Sequence, residues 1–279
     1  MKITNVANLP AAIVSAIQND PYEAGDCDST VTRLIQPSRK VALERQHKDE
    51  ISEDVADRIW ALLGQLGHSI LERAGIGIVE HRFTAPCRGW KIGGKADVVD
   101  GNKILDWKFT SVWSCKDGVK SEWVEQLNLL AYLAAKNGFA ITSLEVTAIY
   151  RDWSKLEARR SPDYPRHQVH VFDVPLWPLE KAESWINERV QAHQAAQAGE
   201  LPECTPAERW EKPEMFALMK TGRQRAVRLY DNRQDAEKAA EGNDALRIEH
   251  RPGEQVRCQS YCAARPFCVL ADKLGVPKD

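Results

Sequence analysis

Apolar and polar positions change period several times along the chain, and each change marks an element. Residues 30–46 and 51–74 read as helices, the second carrying Ile51, Val55, Ile59, Leu62, Leu66 and Ile70 at helical spacing. Gly75 and Gly77 end it. From 76 to 109 the period shortens to two and predicts strands over 76–85, 90–99 and 103–109. Helical spacing returns over 121–136, where Trp123, Leu127, Leu130 and Ala134 form a stripe. Strands are expected at 143–151 and 168–173, then a helix from 179 to about 198. Helix, three strands, helix, strand is an α/β order with one central mixed β-sheet flanked by helices. The Pro-bearing stretch 199–206 reads as a boundary. A main domain over 1–198 and a small Cys-rich C-terminal lobe over 199–279 are therefore expected, the lobe holding a hairpin at 216–220 and 226–230 and a helix near 234–241.

Composition narrows the class. Hydrophobic residues make up 43% of the 279 and aromatics 8%, enough for the core of a soluble globular protein. No run of about 18 apolar residues occurs, so no membrane partner is expected. The opening Met1-Lys-Ile-Thr-Asn lacks the charged-then-apolar order of a signal peptide, which makes the cytoplasm the expected location. A formal charge of -2 neither demands nor excludes nucleic acid, because acidic metal ligands can offset a basic groove. Arg33, Arg39, Lys40, Arg45 and Lys48 cluster early, and Lys220, Arg223, Arg225, Arg228 and Arg233 late. Either run can contact phosphates or lie solvated.

The chemistry concentrates in residues 93–110. Asp100-Gly-Asn is a hairpin-turn signal. Period two puts Ile104, Asp106 and Lys108 on one face of the following strand, and Leu105, Trp107 and Phe109 on the other. With Gly101 and Asn102 as a two-residue turn, Val99 lies across from Ile104 and Asp97 from Asp106. Two carboxylates about 4 Å apart at an effective dielectric near 20 repel by on the order of 4 kcal/mol. A divalent cation turns that cost into a site of hard oxygen ligands suited to Mg²⁺ or Mn²⁺. Lys108 would then position a water or stabilise charge on a phosphate. Upstream, His68 and Glu72 share a helix face, and a neutral imidazole there can be a further ligand. Gln126 borders the apolar stripe of its helix, so its amide needs a polar partner.

Taken in order, Gly64-x-x-x-His68, Gly94-x-x-Asp97, Asp106-x-Lys108 and Gln126 resemble the RecB-like branch of the PD-(D/E)XK nuclease superfamily, which includes CRISPR-associated and phage exonucleases. The likeness spans roughly residues 30–136. It implies a restriction-endonuclease-like core, metal binding by His68, Asp97, Asp106 and the main-chain carbonyl of Trp107, and a catalytic group in Lys108. The family often has a Tyr four residues after the Gln; here Leu130 stands there, and Tyr132, about 120° further round the helix, is as well explained by packing.

The lobe holds Cys204 and then Cys258, Cys262 and Cys268, a density that reads as metal coordination in a reducing compartment. Four thiolates suit a [4Fe-4S] cluster or a structural Zn²⁺, in either case as a support for a lobe with little core of its own. Iron–sulfur members of the branch pair one early Cys with three late ones. Here Gln36 stands where the early one is expected, which leaves Cys204 as the choice for the fourth ligand and Cys27 behind it.

The resulting expectation is a metal-dependent deoxyribonuclease, an exonuclease acting on single- or double-stranded DNA ends in phage-type recombination or DNA processing. Asp97, Asp106, Lys108 and Gln126 are its catalytic residues, and a recombination protein or a second copy of the chain is its partner. The alternative is a non-catalytic nucleic-acid-binding module that keeps the fold.

Overall fold

The computed structural model describes residues 2–20 and 25–277. Contacts divide the chain into two units, Met1–Ala42 with Lys48–Leu201, and Leu43–His47 with Pro202–Asp279. The second unit thus takes in residues 43–47 and begins its C-terminal part at Pro202, where a boundary at 199 was expected.

The first unit begins with β1 (Lys2–Thr4), α1 (Ala11–Gln18), β2 (Ser29–Thr30), α2 (Val31–Leu34), the start of α3 (Ser38–Gln46), β3 (Ser52–Asp54) and α4 (Ile59–Glu72). Then come β4 (Ile78–Cys87), β5 (Trp90–Asp100), β6 (Lys103–Thr110), α5 (Ser121–Lys136), β7 (Ser143–Tyr150), α6 (Lys155–Arg160), β8 (Val169–Val174) and α7 (Leu179–Gln197). It is an α/β unit with a central mixed sheet flanked by helices. The sheet runs β2-β5-β6-β7-β8, with β4 paired to β5. β6 and β7 are parallel, and α5 is their crossover.

Two helix expectations need correction. The stretch 30–46 is two helices, because Pro37 lacks an N–H and pushes the residue before it out of the helical region. The helix expected over 51–74 starts only at Ile59. Asp54 explains the delay: its carboxylate accepts from Ala56 N at 3.0 Å and from Val6 N at 2.6 Å, capping a 3-10 turn and holding β3 against β1. Ile51 and Val55 are buried ahead of the helix, whereas Leu66 and Ile70 on it remain exposed.

The sheet carries one interruption. β4 pairs with β5 over nearly its full length, so β2 and β6 must share the other edge of β5. β2 meets it at Ile92 and Gly93, and β6 at Val98 to Asp100. Between them, residues 94–97 have no strand on that edge among the described residues. β5 and β6 part like a fork. α5 packs against this region closely: a Cβ on Gly94 would come within 2.6 Å of Leu130 and 2.9 Å of Val31.

The second unit holds the rest of α3, β9 (Glu211–Lys212), β10 (Met215–Lys220), β11 (Arg228–Tyr230), α8 (Arg233–Ala240), β12 (Leu246–Arg251), β13 (Glu254–Gln255), α9 (Val256–Ser260) and α10 (Val269–Lys273). The expected hairpin forms as β10 with β11, and β12 completes a three-stranded sheet.

Candidate active site

The fork fixes the site. Where β5 and β6 part, Trp107 loses the main-chain partners its N–H and C=O would have in a continued ladder. Side chains replace them. Asp97 Oδ2 accepts from Trp107 N at 2.8 Å, and His68 Nε2 lies 3.0 Å from the Trp107 carbonyl oxygen. The other imidazole nitrogen, Nδ1, stands 3.4 Å from Asp97 Oδ2. The register Val99↔Ile104 and Asp100↔Lys103 is the one the two-residue turn predicts, and it carries Asp97 and Asp106 toward each other. Of the two turn residues only Gly101 has positive φ, +57°, as a type II′ turn requires.

His68 arrives from α4 because that helix lies almost on the sheet. A Cβ on Gly67 would sit 2.0 Å from Phe109 Cζ, so only glycine permits this approach. Gly64, the glycine of the sequence motif, has open space around it. The steric need therefore falls on Gly67, the neighbour of His68.

From the α5 side, Gln126 joins Asp106 and Lys108. Lys108 Nζ donates to Asp106 Oδ1 at 3.0 Å and to Gln126 Oε1 at 3.1 Å, and Gln126 Nε2 is 3.3 Å from Asp106 Oδ1. Gln126 thus has the polar partners its place on the helix called for. Asp106 is 1% exposed. Its Oδ2 lies 2.7 Å from Lys108 Nζ, an ion-pair distance, yet makes no hydrogen bond among the described residues because the angle is poor. A buried carboxylate oxygen left in that state is costly. Burial pushes the Asp106 carboxyl up from 3.8 to about 6; Lys108 opposes the shift, and Asp97 adds to it.

Glu80 completes the group and was missed by sequence reasoning. Ligand atoms of His68, Glu80 and Asp97 all lie within 4.8 Å of one another. Glu80 interrupts β4 at φ +54°, a left-handed conformation rare for a residue with a Cβ, and it forms an ion pair with Lys95. Counting back from the β4–β5 turn would have found it. Arg88 and Gly89 both have positive φ, Cys87 faces Trp90, and the same register sets Glu80 opposite Asp97.

These groups line a cavity of about 800 Å³, with Glu72, Thr30 and Arg82 on its wall. Burial lowers the His68 pKa, but the hydrogen bond and charge of Asp97, with Asp106 behind it, more than reverse this and leave it raised. Hard carboxylate oxygens, one carbonyl and one imidazole are a donor set that fits Mg²⁺ or Mn²⁺. Tyr132 is not part of the group: it is buried, and its hydroxyl donates to Glu183 on α7 at 3.2 Å.

In the second unit the four lobe thiols lie near one another. Burial pushes Cys204 up to about 12, with further contributions from Glu208 and from Cys258, Cys268 and Cys262. No three of these sulfurs, among the described residues, lie within 4.8 Å of one another. A closed tetrahedral zinc site would hold them about 3.8 Å apart. Cys27, the weaker candidate, packs against Gly93 in the first unit.

Comparison with known proteins returns weak structural likenesses alone. No protein-family model matches the chain, and no curated protein matches it. Among solved structures, SSO0001 aligns at 18% identity and a TM-score of 0.46, over 66% of this chain and 84% of that one. A candidate exonuclease from Eubacterium rectale aligns at 12% identity and a TM-score of 0.33, over 67% of this chain and 74% of that one. No helix among the described residues is long and apolar enough to cross a membrane.

Proposed function

We propose that the chain is a divalent-cation-dependent nuclease that hydrolyses DNA phosphodiester bonds, of the PD-(D/E)XK type. One observation carries the reading: His68, Glu80 and Asp97 bring ligand atoms within 4.8 Å of one another where the sheet parts, and the same cavity is lined by Lys108 and by the buried Asp106, one of whose oxygens lacks a hydrogen bond. Asp97, Asp106, Glu80, His68 and the Trp107 carbonyl would hold Mg²⁺ or Mn²⁺, and such an ion polarises a phosphoryl oxygen and favours deprotonation of water. The reaction adds water across one P–O bond: the water oxygen bonds to phosphorus, and the leaving sugar oxygen takes a proton. Lys108, held between Asp106 and Gln126, supplies positive charge to the phosphate. Gln126 keeps that ammonium in place. By resemblance the substrate is a DNA end and the setting phage-type recombination or DNA processing.

The test is cleavage of end-labelled single- and double-stranded DNA with Mg²⁺ or Mn²⁺. Activity should vanish in EDTA and fall on the order of a thousandfold or more in Lys108→Ala. Glu80→Gln should weaken Mn²⁺ binding at least several-fold in a calorimetric titration. A folded wild type that binds DNA but does not cut it, or a Lys108→Ala that cuts equally well, would transfer the assignment to a non-catalytic nucleic-acid-binding module.

For the lobe, the four thiols would hold a [4Fe-4S] cluster, the alternative being a structural Zn²⁺, since either is bound by four Cys thiolates. Its role here is structural. Protein prepared without oxygen should carry iron and acid-labile sulfide in equal amounts, and Cys204→Ala should lose both. Stoichiometric zinc without iron would select the other metal.

A further inference from the structure

A second cavity of about 710 Å³ lies in the same unit, lined in part by Trp113, Lys116, Tyr164, Arg166, His170 and Phe172. Strand register puts it on the catalytic face. Lys108 pairs with Ala148 and Ala148 with His170, while Asp106 pairs with Val146 and Val146 with Phe172. Side chains in register across neighbouring strands share a face, so His170 and Phe172 point the same way as Lys108 and Asp106. Two strand spacings, about 10 Å, separate them. β6 itself leads from Lys108 to the turn that carries Trp113.

We propose that this cavity takes a nucleobase of the DNA strand whose phosphate lies at the Asp106–Lys108 site, stacked on Trp113. This rests on the nuclease reading above. That separation is spanned by no more than about three nucleotides, since duplex-like spacing is about 3.4 Å per nucleotide and an extended strand needs fewer. Trp113 is 68% exposed, an unusual position for the largest apolar side chain. Its backbone is nevertheless fixed: Val112 N donates to Asp152 Oδ1 at 2.8 Å, and Ser111 caps the turn through Ser114 N. Tyr164 meets Trp113 edge-on, with centroids 6.5 Å apart at 76°, which leaves a face of the indole open. The Tyr164 hydroxyl accepts from Ser154 N at 2.9 Å and donates to Asp152 O at 3.3 Å, so this ring is held as well. Lys116 and Arg166 bring positive charge to the lining, beside Asp163. A pre-set aromatic face with cations beside it is how a single strand is gripped without regard to sequence.

The experiment measures binding in metal-free buffer, where cleavage does not intervene. A short labelled oligothymidylate is compared with the same oligonucleotide carrying abasic sites, by fluorescence anisotropy, on the full chain. The wild type should prefer the thymidylate by on the order of tenfold or more. Trp113→Ala and Tyr164→Ala should remove that preference, and Trp113→Phe should keep part of it. Equal binding of both oligonucleotides by the wild type, binding of neither, or a preference retained in Trp113→Ala overturns the proposal. Cleavage of bis(p-nitrophenyl) phosphate, which has no base to reach the cavity, reports separately on the nuclease reading. If the wild type and Trp113→Ala both cleave it while neither discriminates between the oligonucleotides, the cavity assignment fails and the nuclease stands. If neither this ester nor end-labelled DNA with Mg²⁺ or Mn²⁺ is cleaved but the base preference depends on Trp113, the nuclease reading fails and the strand-binding cavity stands.

Discussion

Asp106→Asn should abolish cleavage and cation binding while making the metal-free protein more stable. A carboxyl held near 6 instead of 3.8 costs the ionised folded chain on the order of 3 kcal/mol. The amide removes that cost, and because the opposing pull of Lys108 is already contained in the shift, a net gain of up to about 3 kcal/mol is expected. The pH dependence follows from the direction of the shift. Below about pH 3.8 the group is protonated in both states and contributes nothing. Between there and about 6 the unfolded chain ionises first and binds fewer protons than the folded chain, so the wild type loses stability as pH rises. Above that range the deficit is constant. Denaturant titrations of wild type and variant should therefore coincide near pH 3.5–4 and diverge up to about pH 6, with the variant ahead. Saturating Mn²⁺ at neutral pH should reverse the order by stabilising the wild type alone. A variant less stable than the wild type at pH 7 without metal would contradict a strained carboxylate. The trade of stability for a site poised to take a cation is a familiar one.

The second large effect concerns two glycines three residues apart. Gly67→Ala sets a methyl carbon 2.0 Å from the Phe109 ring, so α4 or the ring must move, and His68 rides on α4. We expect a loss of about 1–3 kcal/mol in stability and a drop in cleavage on the order of a hundredfold, since displacements near 1 Å cost that much. Gly64→Ala, with open space around its Cα and a helical site, should be neutral or stabilising by up to about 1 kcal/mol. Trimming the obstacle in a Gly67→Ala, Phe109→Ala double variant should restore part of the lost activity. If Gly64→Ala proves the more damaging of the two, the account of how α4 is seated is wrong.

Much of this was legible in the chain. The turn at Gly101–Asn102 set a register that brings Asp97 toward Asp106, and period two put Lys108 on the same face as Asp106. The helix 121–136 and the need of Gln126 for polar company were equally readable. What could not be read was non-local. The motif pointed to Gly64, but which glycine is indispensable depends on the distance between α4 and β6, a tertiary quantity. Glu80 was readable only by counting back from the β4–β5 turn to its place opposite Asp97; its positive φ was not. The late start of α4 came from Asp54 bonding backward to Val6, across 48 residues. Periodicity sees neighbours within a turn or two and is blind to such competition.

The fork between β5 and β6 also bears on how the sheet breathes. A sheet usually frays from its rim inward, because edge amides have the fewest partners and exchange with solvent first. Here alternate residues of 94–97 face no strand on one side, and the Trp107 amide depends on a single carboxylate, that of Asp97. Local opening can therefore begin in the interior of the sheet. Whatever engages Asp97 from the cavity sets the rate at which it does so.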